Sequence, residues 1–319
     1  MMDWTDRHCR YFHRQLSSRA RLYTEMVTTG ALLQGDPRRH LEFDPEEHPV
    51  ALQIGGSEPE DLARAARLGA QWGYDEINLN CGCPSERVQR GAFGACLMAE
   101  PTLVADCVKA MLDAVDVPVT VKHRIGVDRR EDYGYVRDFV GALAEAGCRV
   151  FIVHARNAWL TGLSPKENRE VPPLRYEVVH RLKADFPSLV FVLNGGLATL
   201  AAAEAQLAHV DGVMVGRAAY HAPWLLAEVD GRLFGETAPA ATREEIVARM
   251  TAYLHRETSR GTAPRHVVRH MLGLYQGLRG ARQWRRQLSD ASVLERDGAD
   301  VLTRAVPLAS TRAVLRAAA

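Results

Sequence analysis

The sequence predicts an α/β fold: a TIM-type (β/α)8 barrel whose first strand is absent from the chain, followed by a C-terminal all-α helical region. Three observations predict it. Short apolar, β-branched runs alternate with helical patterns every 25 to 40 residues, roughly the period of a βα unit. Each run ends in a polar residue or a glycine. Near residues 234–241 the alternation stops at a Gly/Pro/Ala stretch and only helical patterns follow.

Residues 3–17 read as a loop leading into a helix, and the first apolar run comes next at 22–25. Further runs occupy 50–54, 76–80, 119–122, 150–154, 190–194 and 212–215. Runs that are apolar throughout predict parallel strands buried on both faces, with helices outside. Ligands of such folds sit at the C-terminal strand ends. Those ends carry Gln53, residues 80–83, Lys122 with Arg124, His154, residues 194–196, and Gly216 with Arg217. Seven runs are one short of a barrel, which would leave two edges with unpaired backbone groups. The expectation is a start placed too late or a compensation elsewhere in the protein. Beyond the break, Thr242 and Glu245 fit a capping box. The helix it opens has Ile246, Val247, Met250, Tyr253 and Leu254 at helical spacing. More helices are expected over 264–275, 281–289 and 299–316. The resulting division is a catalytic barrel over 1–235 and a helical domain over 242–319.

The 319 residues, 47% hydrophobic and 25% charged, fit one large and one small globular domain and exclude a disordered or fibrous chain. No stretch approaches the ~20 apolar residues of a membrane helix, and no secretory signal opens the chain, so a cytoplasmic protein with no membrane association is expected. Six cysteines, at 9, 81, 83, 96, 107 and 148, are too sparse for a secreted disulfide framework. Net charge is +1 overall, yet residues 240–319 hold 14 Arg and no Lys against 7 Asp plus Glu. A basic tail beside an acidic body suits a polyanion-binding appendage. Arg is preferred throughout, 36 against 4 Lys, so only the excess of positive charge in the tail is informative.

The sharpest segment is NLNCGCPSERV, residues 78–88, in which a buried strand ends and Gly82 and Pro84 flank Cys83 in a loop at the barrel mouth. Cys96 and Cys107 lie in helical, apolar runs and read as unreactive core thiols. Cys81 with Cys83 lacks the second ligand pair of a zinc clip, so no metal is expected. Asn194-Gly195-Gly196 and Gly216-Arg217 follow the strands that would be seventh and eighth in a complete barrel, where glycines let backbone amides approach a phosphate. Lys122 and His154 close apolar strands, where an unpaired titratable side chain is costly, so each is expected to face a ligand. Together with Gln53 these features point to a flavin mononucleotide (FMN) site.

The segments EMVTTGAL (25–32), HPVALQIGGS (48–57), GYDEINLNCGCPS (73–85), GACLM (94–98), PVTVKHRIG (118–126), FIVHARNAWLTGLSPKENREVPPL (151–174), NGG (194–196) and DGVMVGRAAY (211–220) together resemble the dihydrouridine synthase family over nearly the whole chain. The GLSPKENREVPPL insert and GLRGARQWRR (277–286) resemble its bacterial A-type branch, which acts on D-loop uridines 20 and 20a of tRNA. The resemblance implies that Gln53, Lys122, His154, Asn194, Gly195, Gly196, Gly216 and Arg217 hold FMN and its phosphate. Met1 and Met2 match the end of the family's first flavin-contacting turn, and the strand and Ala-Pro pair that usually precede it are absent from this sequence.

The resemblance also implies the chemistry: hydride from flavin N5 adds at uracil C6, and Cys83 protonates C5. A thiol of ordinary acidity is mostly protonated at neutral pH and can act as a general acid. Asn80, with Gly82, is expected at the uracil edge, while Lys122 and Arg124 polarise carbonyl oxygens or hold flavin. NADPH is the expected reductant, with no dinucleotide fingerprint in the sequence to distinguish it from NADH. The target base must be splayed out of the folded tRNA. Backbone contacts that offset this are assigned to Lys166 and Arg169 in the insert and to Arg282 and Arg285, three apart on one helix face. Trp159 and Trp284 suit either base stacking or core packing. A flavin barrel acting on a free pyrimidine, like dihydroorotate dehydrogenase, and a non-catalytic tRNA-binding module are the competing readings. A monomer is the default expectation.

Overall fold

The computed structural model describes residues 1–237 and 241–306, which form two compact units. The first comprises residues 1–2, 23–43 and 48–216, and the second residues 3–22, 44–47 and 217 onward. The composition break at 234–241 therefore falls inside the second unit, and residues 238–240 of it lie outside the described residues.

All seven expected strands form: β1 (Leu22–Thr28), β2 (Val50–Gly55), β3 (Glu76–Cys81), β4 (Val119–Arg124), β5 (Val150–His154), β6 (Val190–Asn194) and β7 (Gly212–Met214). They lie in one sheet in chain order, β1 to β7, and each pair from β2 to β7 is parallel. This is the strand order of a TIM-type barrel with one strand fewer. Helices Pro59–Gln71, Pro101–Leu112, Tyr133–Glu145, Tyr176–Asp185 and Leu200–Leu207 fill the crossovers from β2 to β7. Their starts are encoded locally: Pro59 and Pro101 lie in the first turn, and Asp132 and Thr199 cap with their side chains.

The pleat sorts side chains by face. Leu52, Ile54, Ile77, Leu79, Val121, Phe151, Val153 and Leu193 are fully buried and pack one face. Register aligns Gln53 with Asn78, Asn80 with Lys122, Arg124 with His154 and His154 with Asn194, so polar side chains run across the other face from β2 to β6, the row stepping two residues along β3 and along β4.

In the second unit the capping box of Thr242 and Glu245 opens helix Arg243–Ser259, with Ile246, Val247, Met250, Tyr253 and Leu254 buried as the spacing predicts. Helix Ala281–Ser289 has its expected bounds. The stretch expected over 264–275 becomes helix Pro264–Val268 and a 3-10 turn, Arg269–Met271. Of the helix expected over 299–316, Val301–Ala305 forms, and residues 307–316 lie outside the described residues. Trp284, open between stacking and core packing, is fully buried and donates Nε1–H to the Met271 carbonyl at 2.8 Å, so it is a core residue. Helix Arg7–Leu16 belongs to this unit through Arg10, paired with buried Glu47 at 2.6 Å, and His8, bonded to the Tyr253 hydroxyl at 2.7 Å. Among the described residues no helix is long and apolar enough to cross a membrane.

Candidate active site

The Cys83 loop leaves β3 and is fastened at several points within the first unit. Asn80 Oδ1 accepts the backbone N–H groups of Gly82 and Cys83, both at 3.0 Å. The Cys83 carbonyl accepts from Ala95 N at 2.9 Å. Gly94 has φ +78°, and a Cβ there would lie 2.6 Å from the Cys83 carbonyl oxygen, so the return of the chain requires glycine. Cys83 itself is half-buried, its thiol 3.5 Å from the Ser85 hydroxyl. The other strand cysteine, Cys81, is fully buried, and burial pushes its thiol well above the usual range. Burial acts likewise on Cys107, pushed up to about 12.

Arg124, 3% exposed, clamps this loop to the segment after β5. Its guanidinium donates to the carbonyls of Gly82 at 3.0 Å, Asn168 at 3.0 Å and Asn157 at 3.4 Å. Gln89 makes a second tie, its Nε2 donating to the carbonyls of Pro84 and Leu160, each at 2.8 Å. Buried Asn168 organises the segment: its Oδ1 accepts from Trp159 N at 2.7 Å, and its Nδ2 donates to the carbonyls of Trp159 at 2.8 Å, Leu163 at 3.2 Å and Ser164 at 3.3 Å. Lys166 and Arg169 are exposed on it.

Along the polar row, Lys122 Nζ donates to Asn194 Oδ1 at 3.0 Å, and Asn194 Nδ2 to the Met214 carbonyl at 2.8 Å. Burial, reinforced by Arg124, pulls the Lys122 amine down to about 7. Burial, with Arg124 and Lys122 adding to it, also holds His154 well below the usual imidazole range. A buried amine bonded to one neutral amide, beside a second cation and a neutral imidazole, suits an electron-rich ligand. Gly195 and Gly196 have φ of +118° and +67°, and an added Cβ would lie 2.7 Å from His154 Cδ2 or 2.4 Å from Leu174 Cδ1. The Gly195 carbonyl accepts from Tyr176 OH at 2.6 Å. Both glycines thus let the turn pack against His154 and Leu174, directly after Asn194 and its Lys122 partner, and a positive-φ glycine turn of this kind suits the phosphate-bearing group expected from the sequence.

Of the remaining predicted residues, Met1 has its Sδ 3.6 Å from where a Cβ on Gly216 would lie, while Met2 is exposed. Arg217 opens helix Arg217–His221 of the second unit, directly after Gly216. Arg282 and Arg285 are exposed on helix Ala281–Ser289.

Sequence reasoning missed the polar residues beneath the row. Gln53 Nε2 donates to Asn78 Oδ1, and Asn78 Nδ2 to Thr120 Oγ1, both at 2.8 Å. Thr120 Oγ1 then donates to Glu76 Oε1 at 2.7 Å. The signal was present as Glu76, Asn78 and Asn80 at alternate positions of an otherwise apolar strand.

A family profile described as "Dihydrouridine synthase (Dus)" matches residues 1–310. Proteins named tRNA-dihydrouridine(20/20a) synthase are 62% identical over 289 residues in Pseudomonas aeruginosa, covering 91% of this chain and 87% of that protein. The Pseudomonas putida protein of that name is 59% identical over 309 residues, covering 97% and 89%. That of Vibrio parahaemolyticus is 56% identical over 307 residues, covering 96% and 94%. Among solved structures, a 2-naphthoyl-CoA reductase complex superposes with a TM-score of 0.53 at 12% identity, over 71% of this chain and 47% of that one, a likeness of fold alone. A profile match over nearly the full length, joined by relatives above 55% identity, identifies the chain as a member of the dihydrouridine synthase family.

Proposed function

We propose that the chain is a tRNA-dihydrouridine(20/20a) synthase: an FMN-dependent oxidoreductase, driven by NADPH, that reduces the C5=C6 bond of D-loop uridines 20 and 20a. The observation that carries this reading is a thiol, Cys83, fixed by its own backbone beside a buried row of amides, Lys122 and His154. Names shared by relatives at 55–62% identity support the same reaction.

Lys122, His154, Asn194, Gly195, Gly196 and Gly216, followed in the chain by Arg217, would hold FMN, with Gln53, Met1 and Met2 contributing from the other strand ends. When bound, reduced FMN supplies the hydride that adds at uracil C6. Cys83 donates its proton to C5, and the thiolate left behind regains a proton from water, which its partial exposure admits. Asn80 and Gly82 border the base, and Lys122 and Arg124 stabilise negative charge developing on a ring carbonyl.

Lys166, Arg169, Arg282 and Arg285, all exposed cations, engage tRNA phosphates, the last two as part of a basic tRNA-binding domain over 242–319. A tRNA substrate also puts the enzyme in the cytoplasm. The test uses purified chain, NADPH and tRNA free of dihydrouridine. Dihydrouridine should form at positions 20 and 20a, and Cys83→Ala should lower the rate by about a hundredfold or more while tRNA affinity stays within about twofold. Full turnover by Cys83→Ala would remove the proposed proton donor.

A further inference from the structure

The amides of the lumen row belong to a single hydrogen-bonded file with a fixed direction. Backbone N–H groups of Gly82 and Cys83 donate to Asn80 Oδ1 at 3.0 Å. Asn80 Nδ2 donates to Gln53 Oε1 at 2.8 Å, Gln53 Nε2 to Asn78 Oδ1 at 2.8 Å, and Asn78 Nδ2 to Thr120 Oγ1 at 2.8 Å. Thr120 Oγ1 donates to Glu76 Oε1 at 2.7 Å, which also accepts from Tyr23 OH at 2.8 Å. Every donation runs toward Glu76. One end of the file is a backbone N–H, able only to donate, and the other is the Glu76 side-chain oxygen that accepts both hydroxyls.

Glu76, Asn78 and Thr120 are 0–1% exposed, so no water competes for these groups. Turning any one amide over would set N–H against N–H at one neighbour and oxygen against oxygen at the other. Such a file also polarises along its length, each bond strengthening the next.

The consequence lies at the top of the file. A primary amide carries two N–H bonds, and Gln53 and Asn80 each give one to the file, so each retains one N–H with no partner among the described residues. Asn80 Oδ1 already accepts twice. We propose that Glu76, acting through Thr120 and Asn78, is the positioning residue that presents Gln53 and Asn80 to the bound ring as hydrogen-bond donors and so selects a ring bearing carbonyl oxygens. The inference rests on the flavin and uridine reading above, because both the FMN dione edge and uracil offer such carbonyls. Thr120 is the link that can be cut without touching either donor.

The experiment compares the full-length wild type with Thr120→Val and Thr120→Ser. FMN affinity is titrated by fluorescence, and kcat and KM are measured on tRNA. Thr120→Val removes the hydroxyl at nearly constant volume and should weaken FMN binding, raise KM for tRNA or lower kcat by about tenfold. Thr120→Ser should restore wild-type values. A loss confined to FMN affinity assigns the carbonyl to flavin, and a loss confined to kcat or KM assigns it to uracil; either supports the file. Should Thr120→Val not fold, Thr120→Ala is read in its place. Wild-type behaviour of the hydroxyl-free variant, or an equal loss in Thr120→Ser, overturns the file alone. A wild-type chain that neither binds FMN nor reduces tRNA overturns the function, and the file with it.

Discussion

Lys122 offers a measurement in which burial energy and ligand need can be separated. In the unliganded protein its amine is pulled down to about 7 from an ordinary 10.5 by burial, with Arg124 adding to the effect. The folded value lies below the unfolded one, so between them the unfolded chain holds a proton that the folded chain has released. Stability therefore rises with pH across this window. The full gap corresponds to about 4 to 5 kcal/mol, and the part recovered between about pH 7 and about pH 9 is about 2 kcal/mol. Lys122→Met keeps the chain length and removes the titration, at the cost of the 3.0 Å bond to Asn194, about 1 kcal/mol. Chemical denaturation of protein stripped of small molecules should then show the wild type gaining about 2 kcal/mol more than the variant between those two pH values. Near neutrality the variant should be at least as stable as the wild type, and it should retain no flavin. Parallel pH profiles for the two proteins, or a variant destabilised near pH 7, would refute the claim that Lys122 is held at a loss until a ligand arrives.

Three other outcomes follow from the geometry around Cys83 and the exposed cations. Gln89→Ala removes both 2.8 Å ties of the Cys83 loop and should accelerate alkylation of Cys83 severalfold with little change in melting temperature; an unchanged rate would mean that Asn80, Ala95 and Arg124 fix the loop without Gln89. Gly94→Ala places a Cβ 2.4 Å from Val88 Cγ1 at φ +78°, and should cost about 1 to 3 kcal/mol in denaturant unfolding, more than alanine at the unobstructed Gly30. Arg282→Ala with Arg285→Ala should weaken tRNA binding and reduce the slope of log affinity against log salt by about 1.5 to 2, whereas an unchanged slope would return both residues to an idle solvated face.

The strands were legible because their outward halves are mostly apolar, His123 of β4 excepted, and each expected run meets an observed strand. Their ends were less legible where lumen chemistry intervenes. Residues 119–122 extend to Arg124 because its guanidinium finds carbonyl partners there, and 22–25 extend to Thr28, whose side chain caps the next helix. Those partners come from register: nothing in the local sequence says that Thr120 stands between Asn78 and Glu76. The candidate site was half legible for the same reason. Cys83, Lys122, His154 and the glycines announce themselves at strand ends, whereas Gln89 and Tyr176 act through backbone carbonyls of other segments, and Asn168 through those of its own loop and by offering its own carbonyl to Arg124. The composition break near 234–241 puts helix Arg7–Leu16 with the barrel, and nothing in its sequence marks His8, Arg10, His13 and Arg14 as partners of the second unit. They are buried, and Arg10 and Arg14 meet Glu47 through contacts that sequence distance conceals.

Asn168 carries a kinetic consequence. Four bonds from one side-chain amide, and a fifth made by its carbonyl to Arg124, hold residues 159–168 in shape before any partner arrives. In the proposed RNA complex this segment needs no folding, and ordering a long exposed side chain such as that of Lys166 costs about 0.5 to 1.5 kcal/mol. The segment behaves as a rigid jaw tipped with two cations. Encounter is then limited by diffusion and charge and not by loop folding, so changes within the jaw should appear mainly in the lifetime of the complex and changes at the tips in its rate of formation.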